Sequence, residues 1–393
     1  MLNLAFGLAL DDLYTSDGLQ KVDTAFLGSL AEADPALHGQ LLDGRNDPGG
    51  LQELDYSNLI IALAPHLDGL LASLFGIEAE VADETARHTE LAELFDCRRR
   101  FVQIGAARAH KAEEAEAFDG PALRAHLTEM FGGSFDQTTF AHHAMAWRAD
   151  KKANAESFDI ATRYAAWAAL TEAGKAYHKD DVVFRLFGRP DPFELVASKT
   201  VLENGVPMLQ NPDDDYYQRD NFELTDAGAD LINALYEANY CTICHDRARD
   251  YCTRGLPEEE NGEPVGDQYA VNALGVRLVG CPLEVKISEM HRAMIDGYAI
   301  GALAVITADN PLVAATGHRI CNDCVLSCIF QKQDPVNVPQ AETRILKDVL
   351  ALPWGFEIYS LLTRWNPMNL ERPYPKPATG YKVLVVGMGP AAF

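Results

Sequence analysis

Apolar positions recur every three or four residues through most of the first half of the chain, the spacing that lines one face of a helix. Residues 85–110 align Leu91, Leu94, Phe95, Phe101, Val102 and Ile104, with Glu and Arg between them. Residues 159–176 repeat the pattern with Ile160, Tyr164, Trp167 and Leu170. Pro190, Pro192 and the run from Asn211 to Asp215 are turn and linker text, so a boundary is expected between residues 205 and 225. Thr225 then predicts the N-cap of a helix carrying Ala229, Leu231, Ile232, Leu235 and Tyr236. A further apolar series, Leu283, Ile287, Met290, Met294 and Tyr298, runs to a stop at Asp309, Asn310 and Pro311.

Beyond residue 346 the text turns rich in Pro and aromatics, which predicts an extended connector over 346–379 lying across a neighbouring domain. Residues 382–386 are a largely β-branched run of the kind that forms a buried parallel strand. The expected organisation is a helical domain at 1–222, a cysteine-bearing helical domain at 223–345, the connector, and the start of another domain at 380–393. The fold class is therefore mainly α. No run approaches the roughly 20 uninterrupted apolar residues of a membrane helix; residues 300–307 come nearest. The formal charge of −25 repels nucleic-acid phosphates and anionic lipid, so neither partner is expected. The first residues carry no basic segment and no cleavage site, which predicts a cytoplasmic protein.

That location changes how the eight cysteines read. Cys97 stands apart, beside three arginines on an amphipathic helix, and reads as a packing residue. The other seven, Cys241, Cys244, Cys252, Cys281, Cys321, Cys324 and Cys328, crowd into one stretch. In a reducing compartment such crowding points to metal or redox chemistry rather than disulfides. Thiolates at short spacing suit soft metals, and two four-iron clusters need about eight ligands. Zinc competes through the pairs at 241/244 and 321/324. The run Cys241 to His245 also spells the c-type haem motif, but haem would leave the remaining cysteines without a role. His142 and His143 are neighbours on a helix and point apart.

The segment from Asn239 to Glu342 resembles the N-terminal domain of dihydropyrimidine dehydrogenase and of the glutamate synthase small subunit. The landmarks are Cys241 to Cys244, Cys281-Pro282, Asp309 to Leu312, Gly317 to Cys321, and Pro335 to Val338. The resemblance implies an α-helical ferredoxin fold with two [4Fe–4S] clusters. It implies Cys241, Cys244, Cys252 and Cys328 on one cluster, and Cys281, Cys321 and Cys324 on the other with Glu342 as fourth ligand. The gap after Cys244 is longer than in that family, and most of residues 253–280 reads as an inserted acidic, exposed loop.

Gly387 and Gly389, with Pro390 and Ala392, match the dinucleotide fingerprint in which glycines let a pyrophosphate approach a helix N-terminus. In the resembling family this text opens the FAD domain of an NAD(P)H-linked oxidoreductase. The expectation is an electron-carrying front part that ends in the first strand and Gly-rich turn of an incomplete Rossmann-type domain. FAD and NAD(P)H are then bound by a domain in cis or by a separate subunit, with another domain giving or taking the electrons. The contrasting expectation is a zinc-stabilised helical interaction module without redox activity.

Overall fold

At the centre lies the helix Glu53–Phe75, in which Leu63, Leu67 and Leu71 repeat at four-residue spacing and are fully buried. Burying each such side chain contributes about 2 kcal/mol. The helix packs against Ala299–Asp309, also buried over nearly its whole length. The two backbones approach so closely that a Cβ on Gly301 would stand 2.5 Å from the Ala64 Cβ. Asp68 takes advantage of this approach: its Oδ1 accepts the Gly301 N–H at 2.6 Å, satisfying one of the amides that a helix start leaves open. Burial pushes the Asp68 carboxyl up to about 7.

The computed structural model describes all residues except 1, 196–197, 212–219, 224–226, 248, 262, 318–319, 378 and 388–393. Among the described residues the chain is mainly helical, with two antiparallel two-stranded sheets. A single apolar cluster runs from Leu8 to Leu370. Its far end closes on the first long helix, Ser16–Ala33. Trp365 is buried edge-on to Phe26, and its indole N–H donates to Asp23 Oδ1 at 2.9 Å. Arg45 grips the same carboxylate with two bonds, at 2.8 and 2.9 Å.

Several expectations are corrected. Residues 346–362 are not an extended connector: helices Val338–Ala351 and Gly355–Leu362 occupy them, the first burying Leu346 and Val349 and the second Ile358 and Leu361, each pair at helical spacing. Segment 85–110 is broken into Glu78–Thr89, Ala92–Cys97 and the π-helical Arg98–Ala106. Segment 159–176 breaks at Thr171, whose hydroxyl caps a new helix at the Gly174 N–H, 2.9 Å away. The series after Cys281 is two helices, Ile287–Ile295 and Ala299–Asp309, parted at Gly297 with φ +85°. Thr225 lies outside the described residues; the helix Leu231–Tyr240 is capped by Asp230, which accepts the Asn233 N–H at 2.8 Å.

Strands appear where none was expected. Lys199–Glu203 pairs with Val206–Gln210 in the register Lys199 to Gln210, turning on Asn204 and Gly205 at positive φ. Pro257–Glu260 pairs with Glu263–Tyr269 inside the segment read as an exposed loop. Residues 382–386 form no strand; Val383, Leu384 and Val386 stand exposed, without the neighbouring strands that stabilise such a run. Gly387 is described, while Gly389 and Pro390 lie outside the described residues. Glu53–Phe75, rather than residues 300–307, is the helix whose length and composition would span a membrane; here most of it is buried inside the protein.

Candidate metal centre

Cys241, Cys244, Cys252 and Cys328 gather at the end of the helix Leu231–Tyr240. Burial pushes Cys241 up to about 12, with the nearby Cys244 and Cys328 adding to the rise. Cys244 is raised by burial and by Asp250 and Cys328. Cys252 and Cys328 act on each other, which raises Cys252, with burial adding to the rise, and lowers Cys328. Gathered as bare thiols these groups repel one another once ionised, and a cation core among them removes that penalty.

The backbone around this set is shaped to meet sulfur. Ile243, a β-branched residue, is held at φ +51°, a strained conformation for its type. The strain aims its N–H at Cys241 Sγ, 3.4 Å away. The nearby backbone amide of Tyr251 acts to lower Cys244, and those of Val336 and Phe330 act to lower Cys328. Hydrogen bonds of this kind are what tune metal-bound thiolates.

Cys281, Cys321, Cys324 and Glu342 form the second set. Cys321 and Cys324 are each raised by burial first and then by Glu342 and Cys281. Glu342 sits early in the helix Val338–Ala351, and burial lifts its carboxyl to about 7. Gly317 lies beside it, where a Cβ would crowd the Val313 carbonyl at 2.9 Å while standing in ordinary contact, 3.4 Å, with Glu342 Oε2. The helix start is pinned by the Asn337 N–H donating to Glu237 Oε2 at 2.8 Å. Cys321 is exposed, beside a cavity of about 930 Å³ lined by Arg185, Tyr236, Glu237 and Asn337.

The inserted segment 253–280 leaves both sets intact because it closes on its own stem. The Cys281 N–H donates to the Cys252 carbonyl at 2.8 Å, and the Leu256 N–H to the Leu278 carbonyl at 2.9 Å. Gly280 fits the stem at φ +79°, where a Cβ would meet the Gly255 nitrogen at 2.3 Å. The same bond places Cys252 of one set against Cys281 of the other, and Cys252 also feels Cys324. No three of the seven sulfurs lie within 4.8 Å of one another among the described residues.

His245, the would-be haem ligand, is buried with Nδ1 2.6 Å from Ser288 Oγ. Cys97 is buried in the helical region, its thiol pushed up by burial rather than activated by the arginines. His142 is exposed and bonds Glu93, while His143 stacks on Phe131 at 4.6 Å. Sequence reasoning missed a buried trio, Glu84, His88 and Asp348, whose donor atoms lie within 4.8 Å of one another. Only the Glu84–His88 spacing of four residues was visible in the text; Asp348 arrives from a distant helix.

A family model described as the RP005 N-terminal alpha-helical domain matches residues 4–76. The uncharacterized protein RP005 of Rickettsia prowazekii (strain Madrid E) is 30% identical over 298 residues, which cover 74% of this chain and 97% of that protein. The uncharacterized protein RP006 of the same organism is 63% identical over 82 residues, 21% of this chain and 12% of that protein. No solved structure matches the chain. With nearly all of RP005 aligned, and its N-terminal helical domain matched as well, the chain belongs to the RP005 family.

Proposed function

We propose that this chain is an iron–sulfur electron-transfer protein, the carrier component of an oxidoreductase, with two [4Fe–4S] clusters. Cys241, Cys244, Cys252 and Cys328 would hold one, and Cys281, Cys321, Cys324 and Glu342 the other. The observation that carries the reading is the gathering of eight donors into two sets of four that interleave along the sequence. The same division is implied by the resemblance to dihydropyrimidine dehydrogenase and the glutamate synthase small subunit. A single tetrahedral zinc draws its sulfurs to within about 3.8 Å of one another; the looser gathering here favours a larger inorganic core over zinc.

When bound, such clusters supply one-electron oxidation and reduction at potentials set by ligand type, hydrogen bonds and exposure. The chain's own residues provide the negative thiolate charge and the backbone N–H groups near Cys241, Cys244 and Cys328. The Cys252–Cys281 backbone contact keeps the two sets adjacent, which shortens the path between them. The exposed Cys321 and its cavity are the natural point of approach for an electron partner. The resemblance makes that partner a flavin reduced by NAD(P)H, in a domain of the same polypeptide or in another subunit.

Anaerobic purification tests the proposal. Brown protein with about eight irons and eight sulfides per chain, turning paramagnetic on reduction, is the expected result. Colourless protein that takes up zinc and no iron after reconstitution overturns it.

A further inference from the structure

Glu84 and His88 lie four residues apart on one face of the helix Glu78–Thr89, and Asp348 reaches them from Val338–Ala351. All three are buried, at 5%, 2% and 1% exposure. Each residue uses its outer atom on a separate partner. His88 Nδ1 donates to the Met294 carbonyl at 2.8 Å, which turns Nε2 inward. Glu84 Oε2 pairs with Arg87 at 2.8 Å, and Asp348 Oδ1 pairs with Arg344. His88 Nε2, Glu84 Oε1 and Asp348 Oδ2 face a common point, with Nε2 and Oε1 hydrogen-bonded to each other. Nε2 stands 3.2 Å from Oε1 and 3.6 Å from Oδ2. Asp348 Oδ2, in the most buried side chain of the three, has no hydrogen-bond partner.

A proton on Nε2 accounts for the bond to Glu84 Oε1 and for a His88 that, against the pull of burial, its partners raise to about 9. It leaves Asp348 Oδ2, 3.6 Å away and fully buried, without a partner. A charge-assisted N–H···O bond settles at about 2.7–2.9 Å. Donors about 2.1–2.2 Å from one ion stand about 3.0 Å apart in an octahedral site and somewhat farther where the angles open. The outer contacts are also those that orient metal ligands: an imidazole N–H on a backbone carbonyl, and carboxylates steadied from behind. Asp68 lies close enough to interact electrostatically with His88, in a region that also holds Arg87 and Arg344.

We infer that Glu84, His88 and Asp348 form a divalent-cation site, separate from the cysteine sets, for an ion suited to one imidazole and two carboxylates, such as Mn²⁺ or Fe²⁺. Glu84 Oε1, His88 Nε2 and Asp348 Oδ2 are the ligand atoms, and water completes the coordination. The site joins the helix Glu78–Thr89 to the helix that carries Glu342.

Mn²⁺ is the probe, because the thiols have little preference for it. Full-length protein is titrated with Mn²⁺ and the free ion is followed by its paramagnetic resonance signal. One ion per chain is expected to bind the wild type, with a rise in thermal midpoint. Asp348→Asn and His88→Gln, checked for folding by circular dichroism, are expected to weaken binding more than about tenfold. Wild-type protein that neither takes up Mn²⁺ nor gains thermal stability from it overturns the inference, even if the variants fail to fold. Undiminished binding to either folded variant overturns it equally.

Discussion

Cys241, Cys244, Cys252 and Cys328 are enclosed by backbone N–H groups, and three of the four are buried. Cys281, Cys321, Cys324 and Glu342 stand nearer solvent, with one thiolate replaced by a carboxylate and Cys321 exposed. The comparison teaches a division of labour. With clusters bound as proposed, enclosure and backbone N–H groups would set the potential of the first set, and ligand identity and access to a partner that of the second.

The largest expected effect separates the two sets. Cys328→Ser and Cys281→Ser should each lower iron from about eight to about four per chain. The spectra left behind should differ, and an equal loss of all iron in both variants would show that the sets are not independent. Glu342→Cys comes next. It should keep the iron and lower one cluster's potential, by on the order of 100 mV, leaving the other unmoved in a redox titration.

A smaller effect belongs to the metal-free protein. Burial raises Glu342 from 4.5 to about 7, so the folded state holds its proton more tightly than the unfolded state. Stability from this group is full below pH 4.5 and is lost as pH rises through 7, a fall of order 3 kcal/mol at most. Urea denaturation between pH 5 and 8 should show the fall in wild type and flatten it in Glu342→Gln. The smallest effect is expected from replacing residues 258–268 with a short Gly turn. The stem bonds at Cys252 and Leu256 remain, so iron content should change little; a large loss would mean that the hairpin supports the cysteines directly.

The cysteines were legible because a donor's chemistry is carried by residue type, whatever fold surrounds it. The grouping of Cys252 with Cys328 was not readable from spacing and came from resemblance alone. Each hairpin carries an Asn-Gly pair in its text, and such a pair is a strong turn signal. Asn204-Gly205 falls within the region read as mainly helical, and Asn261-Gly262 within the segment read as an exposed loop. Residues 382–386 show the opposite error. A β-branched run names a preference for strand, but a strand exists only beside another. The trio Glu84, His88 and Asp348 was hidden because its members meet only after two distant helices have packed.

The clasp of Trp365 on Asp23 has a consequence during synthesis. At about 5–20 residues per second a ribosome needs roughly 20–70 s to reach that tryptophan. Until then Phe26 and its neighbours on the first long helix lack their cover. Chaperone capture of nascent chains should therefore end only when the tryptophan leaves the ribosome.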